Sequence, residues 1–243
     1  MTFRWLICFS LPICFNLMPA ATHAGRVSGK VELRDSREAS VRKRLDYSGV
    51  VISLAALNNG PTPLSEKHVT MLQKDKTFSP HVLAISAGTY VDFPNDDPIF
   101  HNAFSSYNGQ LFDLGLYAPG SSKSVRFSRE GIVRVFCNIH SSMSAVIVVL
   151  PTPYFATTQR DGSFEIPNVP PGDYQVTIFH ERATEATLRA LSRRVTVENA
   201  SLSLPPAVIS EAGFLQMPHT NKFGRVYAPE TDDHSIYPAA KKD

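Results

Sequence analysis

Cysteine is scarce in this chain. It has three in 243 residues, and two of them, Cys8 and Cys14, fall within the first two dozen positions. The remainder therefore cannot be held by a disulfide framework, because a single thiol closes no internal bridge. Net charge is nearly absent too: 24 basic and 22 acidic residues give a formal +2. Such a balance speaks against a nucleic-acid or anionic-lipid surface. After residue 24 there is no apolar run long enough to cross a bilayer, and there are no internal repeats or low-complexity tracts.

The first 24 residues stand apart. MTFRWLICFSLPICFNLMPAATHA has Arg4, an apolar run from Trp5 to Met18, and small residues ending at Ala24. This is the pattern of a secretory signal peptide cut after Ala24, so the expected location is the periplasm. The apolar run is short for a span and is broken by Pro12 and Asn16. Ile13 before Cys14 argues against a lipoprotein. Loss of the leader removes Arg4, Cys8 and Cys14 and leaves Cys137 as the sole thiol. An exported free cysteine is a liability unless it is buried or ligated.

What the chain does have is short runs rich in Val, Ile, Thr, Phe and Tyr, punctuated by 18 Pro and 13 Gly. The expected class is all-β. RVSGKVEL and GVVISLAAL read as strands, with the charged RDSREASVRKRLD between them as a solvated loop. NNGPTPLSEKH (58–68) reads as a linker. From Val69 to Leu150 a second block follows, in which GIVRVFC puts Val133, Val135 and Cys137 on one face by the two-residue period of a strand. SAVIVVL is a strand buried on both faces. A third block carries clean alternation in GSFEIPNVPPGDYQVTIF, with RDG and PPGD as turns, and a strand at Val195 and Val197. From Pro205 the chain reads as a polar, irregular tail.

CNIHSSM (137–143) sets a cysteine, a histidine and a methionine at three-residue intervals. Thiolate and thioether are soft donors and imidazole is intermediate, a combination that favours copper. Type 1 copper sites use two His and one Cys in a plane with a long axial Met. The missing histidine is available in FPNDDPIFHN, where His101 follows a strand ending at Phe93. Taken singly, each residue has a plainer reading: a buried Cys as a small hydrophobe, Met143 as core filler, His140 as a surface residue. Zinc is the alternative metal, though a thioether is an unusual zinc ligand. A nucleophilic Cys–His pair lacks any recognisable orienting residue or oxyanion feature. His68, His81, His180, His219 and His234 stand alone in sequence. Asp96 and Asp97 read as solvated turn acids, and Tyr107 and Phe112 as loop packing.

The block resembles a cupredoxin, the blue-copper fold, and is similar to amicyanin in its ligand loop. The matching residues are Val91, Phe93, Asn95 and Asp97, the pair His101–Asn102, the strand GIVRVFC, and CNIHSSM. The block also resembles exported bacterial proteins labelled methylamine utilisation proteins, through FPN-D-HN, FDLGLYAPG (112–120), CNIH-x-x-M and TPYFATT (152–158). Members often carry Asp-Trp where this chain has Ser141 and Ser142. The resemblance implies one type 1 copper bound by His101, Cys137, His140 and Met143, with Asn102 tying the two ligand loops together. It implies an electron carrier rather than an enzyme, meeting redox proteins as donor and acceptor through an apolar patch near His140. The competing class is a copper storage or delivery protein, or a binding module without redox function.

TTQRDGSFEIPNVPPGDYQVTIF is similar to the later half of a carboxypeptidase regulatory-like, or transthyretin-like, β-sandwich, and GKVEL with GVVISL to its start. The expected organisation is a signal peptide (1–24), a Greek-key cupredoxin domain (66–150), a discontinuous carboxypeptidase regulatory-like sandwich (25–58 and 151–205) that carries or flanks it, and a tail (206–243).

Overall fold

The computed structural model describes residues 24–58, 62–106, 109–198, 200–215 and 218–227. The leader reading, Tyr107 and His234 lie outside the described residues. The first strands are β1 (Gly25–Arg34) and β2 (Val51–Ala56), separated by the short helix α1 (Ala39–Arg44). There follow β3 (His68–Thr70), β4 (Leu72–Lys74), β5 (Thr77–Ser79), β6 (Val82–Ser86), β7 (Tyr90–Pro94), β8 (Phe104–Ser105), β9 (Phe112–Asp113), β10 (Ser122–Arg126), β11 (Gly131–Phe136) and β12 (Ser144–Leu150). The last part holds β13 (Phe155–Thr157), β14 (Ser163–Val169), β15 (Gly172–Phe179), helix α2 (Glu185–Leu191), β16 (Arg193–Val197), β17 (Leu202–Ser203) and β18 (Ala207–Ser210). Among the described residues no helix is long and apolar enough to cross a membrane.

The architecture is all-β: a cupredoxin-like sandwich and a second small sandwich. In the second, strands from both ends of the chain share sheets. One runs β14-β1-β17 with β18 also on β1, the other β13-β2-β15-β16. Alternation explains the packing: Val27, Val31 and Leu33 of β1, Ile52 and Leu54 of β2, and Tyr174, Val176 and Ile178 of β15 all point into one core. The RDG turn needs its glycine. Gly162 has φ +82°, and a Cβ there would lie 2.0 Å from the Val31 carbonyl oxygen.

The cupredoxin-like sandwich is built from β3 to β12, with sheets β10-β7-β3 and β6-β12-β11-β8-β9. Its core gathers Phe93, Phe127, Val133, Val135, Ile147, Cys137 and Met143. β12 explains its own unbroken apolar run. Ala145, Ile147 and Val149 face this core. Val146, Val148 and Leu150 face the other way, against Val51, Phe155 and Phe179 of the second sandwich. Each fully buried aliphatic side chain of this kind stabilises by about 1.5–3 kcal/mol, so the strand belongs energetically to both bodies.

Two segments differ from their sequence reading. The charged loop between β1 and β2 contains α1, because Val41 reaches the core at 4% exposure while the basic residues of its last turn face water. The segment after Pro205 is not irregular throughout. β18 runs parallel to β1, with Ala207 and Ile209 buried and Val208 exposed. Four residues of alternation, set among prolines and polar residues, were too short to register as a strand.

Candidate metal centre

Cys137 follows β11, whose inward face continues through Val133 and Val135, so its side chain is fully buried. The chain then turns over six residues (138–143) and re-enters as β12. That turn is closed by the Cys137 N–H donating to the Met143 carbonyl at 3.1 Å and the Met143 N–H donating to the His140 carbonyl at 3.2 Å. Met143 is fully buried in the same core as Cys137. His140 is only partly buried.

His101 comes from the connection between β7 and β8. It is held by a two-way backbone bridge to Tyr117: the His101 N–H donates to the Tyr117 carbonyl at 3.2 Å, and the Tyr117 N–H donates back at 2.9 Å. The FDLGLYAPG segment thus forms the shelf on which His101 sits. Its ring is fully buried, and its Nδ1 lies 3.9 Å from Cys137 Sγ, while His140 Nδ1 lies 3.7 Å from the same sulfur. Candidate ligand atoms of all three residues fall within 4.8 Å of one another. A cation bonded to nitrogen and sulfur at about 2.0–2.3 Å holds such donors about 3.5–4 Å apart. The three donors therefore fit a trigonal metal site.

The electrostatics suit ligation. His101 Nε2 is 2.7 Å from Asp97 Oδ2. A carboxylate only accepts, so the ring hydrogen sits on Nε2 and the Nδ1 lone pair faces Cys137. Burial lowers the His101 pKa against the opposing pull of Asp97, which favours the neutral imidazole that a metal requires. Asp97 is itself anchored. Its oxygens accept the N–H groups of Asp75 (2.7 Å) and Lys76 (2.9 Å), the two central residues of the β4–β5 turn, both with positive φ. Burial raises its pKa, but the bonds from Lys76, His101 and Asp75 outweigh that and leave it lowered. Asn95 fixes the entry to this loop, with Oδ1 accepting the Asp97 N–H at 3.1 Å.

Asn102 bridges the two ligand loops. Its Oδ1 accepts the Asn138 N–H at 3.2 Å, and its Nδ2 donates to Asp113 Oδ1 (2.8 Å) and the Gly115 carbonyl (3.0 Å). Asp97 corrects a sequence reading: only Asp96 is exposed, while Asp97 is 7% exposed and orients a histidine. The available signal was a carboxylate four residues before a histidine within an extended V-x-F-x-N-x-D stretch. Of the histidines set aside in sequence, the four among the described residues lie outside the donor cluster, and each has a partner. His68 stacks on Tyr90 and meets Asp92, His81 meets Glu181, His180 meets Glu211, and His219 meets the Ser141 carbonyl. Phe112 packs between Phe93 and Phe127 in the core.

Comparison with known proteins gives partial matches only. The family described as polysaccharide lyase family 4, domain II, matches residues 152–202, within the second sandwich. No curated protein matches the chain. Among solved structures, 40% of the chain is similar to 26% of a copper-containing nitrite reductase from Thermus scotoductus, at 25% identity and TM-score 0.34. A purple cupredoxin from Nitrosopumilus maritimus is matched over its whole length by 35% of the chain, at 26% identity and TM-score 0.31. Amicyanin from Paracoccus versutus is matched over 98% of its length by 40% of the chain, at 16% identity and TM-score 0.33.

Proposed function

We propose that this chain is an exported, periplasmic one-electron carrier whose single type 1 copper is held by His101, Cys137, His140 and Met143. The observation that carries this reading is the convergence of one thiol and two imidazole nitrogens, with methionine buried beside them. Soft and intermediate donors of this kind favour copper over zinc. When bound, copper supplies a one-electron couple. The chain's own part is to keep the donors fixed: Asp97 holds the His101 ring, Asn102 ties loop to loop, and β11 and β12 pin both ends of the turn.

The graded exposure supports transfer. His101, Cys137 and Met143 are fully buried, and His140 alone reaches toward solvent. Its ring edge is the shortest way out for an electron, and the partners are other redox proteins met in small, short-lived contacts. On this reading residues 66–150 form the copper domain. It is carried by a supporting sandwich of 25–58 and 151–205, which β18 extends and which is similar in motif to carboxypeptidase regulatory-like domains.

The test uses purified protein from Gly25 onward. Titration with Cu(II) should give one equivalent bound and an intense visible thiolate-to-copper band, absent in Cys137→Ser, together with a reversible one-electron wave. Copper bound without colour, or a band that survives Cys137→Ser, would overturn the assignment. Tight copper without a reversible wave would mark a store or delivery protein instead.

A further inference from the structure

The last described segment, residues 218–227, lies across the ligand loop. Tyr227 donates its hydroxyl to the Cys137 carbonyl at 2.8 Å. The Lys222 N–H donates to Asn138 Oδ1 at 3.0 Å. His219 Nε2 donates to the Ser141 carbonyl at 3.0 Å. The His219 ring stacks on Phe136, the residue before Cys137, with centroids 4.1 Å apart and planes at 29°. Tyr227 meets the same ring edge-on at 5.2 Å. Lys222 Nζ pairs with Asp113 Oδ2 at 2.7 Å, while the other oxygen of that carboxylate holds the Asn102 amide. The segment therefore touches Cys137, Asn138 and Ser141 in the loop, and also the Asn102 bracket that joins this loop to His101.

The placement matters because this loop carries three of the four proposed donors, Cys137, His140 and Met143. Ser141 and Ser142 are exposed, and exposed connections that carry binding groups open more readily than core strands. A carrier needs the opposite at its donors, since ligands that shift between oxidation states slow transfer.

We infer that Pro218–Tyr227 is a built-in clamp of the metal centre, with Tyr227 and His219 as positioning residues that hold the Cys137–Met143 backbone in one geometry. The inference rests on the copper reading above. Tyr227→Phe removes only the hydroxyl and keeps the ring against His219, so the fold is retained. His219→Ala removes both the stack and the bond.

Two measurements decide it. In metal-free protein, amide hydrogen exchange across residues 137–143 should be about fivefold faster in Tyr227→Phe and faster still in His219→Ala, the scale expected for one net hydrogen bond. In copper-loaded protein, release to a chelator should quicken by a similar factor and the visible band should broaden while keeping its intensity. Exchange and release at wild-type rates in both variants would overturn the clamp. Failure of the wild-type protein to take up copper would overturn the copper reading instead, and the exchange measurement would still show whether the segment fixes the loop.

Discussion

Among the described residues, each sandwich contains one buried histidine whose Nε2 is bonded to a buried carboxylate. In the cupredoxin-like body it is His101 with Asp97, at 2.7 Å. In the second body it is His180 with Glu211, at 2.8 Å. The pairs look alike to this point and differ in what surrounds them. His101 turns its other nitrogen toward a thiol and a second imidazole. His180 turns its Nδ1 toward no hydrogen-bond partner among the described residues, and its carboxylate is shared with Arg182 (3.1 Å) and Ser36 (2.6 Å). A guanidinium neutralises a carboxylate but ligates nothing. The same two-residue device thus orients a candidate metal donor in one body. In the other it pins β15 to the ends of β1 and β18. An oriented histidine becomes a site only where further neutral or soft donors converge on its free nitrogen.

The largest effect that would sharpen this contrast is expected at Glu211. Glu211→Ala leaves His180 buried without its carboxylate and Arg182 with Glu181 alone, and should cost roughly 3–5 kcal/mol in urea unfolding, yet copper binding by the folded fraction should stay at one equivalent. His101→Ala should do the reverse, abolishing the visible band with a smaller loss of stability. The pH dependence follows from the Glu211 carboxyl. Burial pushes its pKa up, but bonds from His180, Arg182 and Ser36 outweigh this and hold it at about 2, against an ordinary 4.5. A depressed carboxyl stabilises the fold above its unfolded value, and that contribution is lost as pH falls toward its folded value. The stability gap between wild type and Glu211→Ala should therefore be constant above about pH 4.5 and close between there and about pH 2. A gap that does not narrow with acid would show that Glu211 acts by packing alone.

A smaller effect should separate the other carboxylate. Asp97→Asn keeps the volume, but its amide cannot accept from Asp75, Lys76 and His101 together. Loss of a partner behind a histidine ligand typically lowers metal affinity about 10–100-fold. Competition titration should find that loss in Asp97→Asn, with the band still present. Unchanged affinity would mean that the Tyr117 bridge alone orients His101.

The contrast also shows what was readable in advance. CNIHSSM and the HN pair carried their chemistry in residue type and spacing, and strand period aimed Cys137 inward, so the clustering of His101, Cys137 and His140 was legible. Asp97 was half legible: the stretch containing it was singled out, but its burial depends on two amides of the β4–β5 turn more than twenty residues earlier. Glu211 was not legible at all. Nothing near His180 in sequence names a residue 31 positions later, and β18, which delivers it, is four residues long. The covering segment at 218–227 was hidden for a related reason. Its polar residues make polar bonds to a loop and leave no apolar period, so it read as tail. Apolar periodicity records burial in a core and is silent about polar segments held by long-range hydrogen bonds.

The smallest expected effect lies where the two bodies meet. His81 Nε2 is 2.9 Å from the Glu181 carboxylate and its Nδ1 is 3.0 Å from the Ser144 carbonyl, so it joins the second sandwich to the strand that leaves the ligand loop. Glu181 in turn receives Arg182 Nη1 at 2.9 Å, which links this contact to the Glu211 network. The hydrogen bond that His81 donates to Glu181 raises the His81 pKa above 6.5 despite burial. A raised histidine stabilises fully below its unfolded value, and the contribution fades as pH rises through its folded value. About half of the His81 side chain is exposed (49%), so water screens the pair and its contribution should stay under about 1 kcal/mol. His81→Gln should lower the urea midpoint slightly at pH 6, and the difference should shrink on the alkaline side of 6.5. A difference of the same size at pH 6 and pH 9 would mean that the contact works through the neutral Ser144 bond. The join between the two bodies would then rest on the apolar face of β12 rather than on charge.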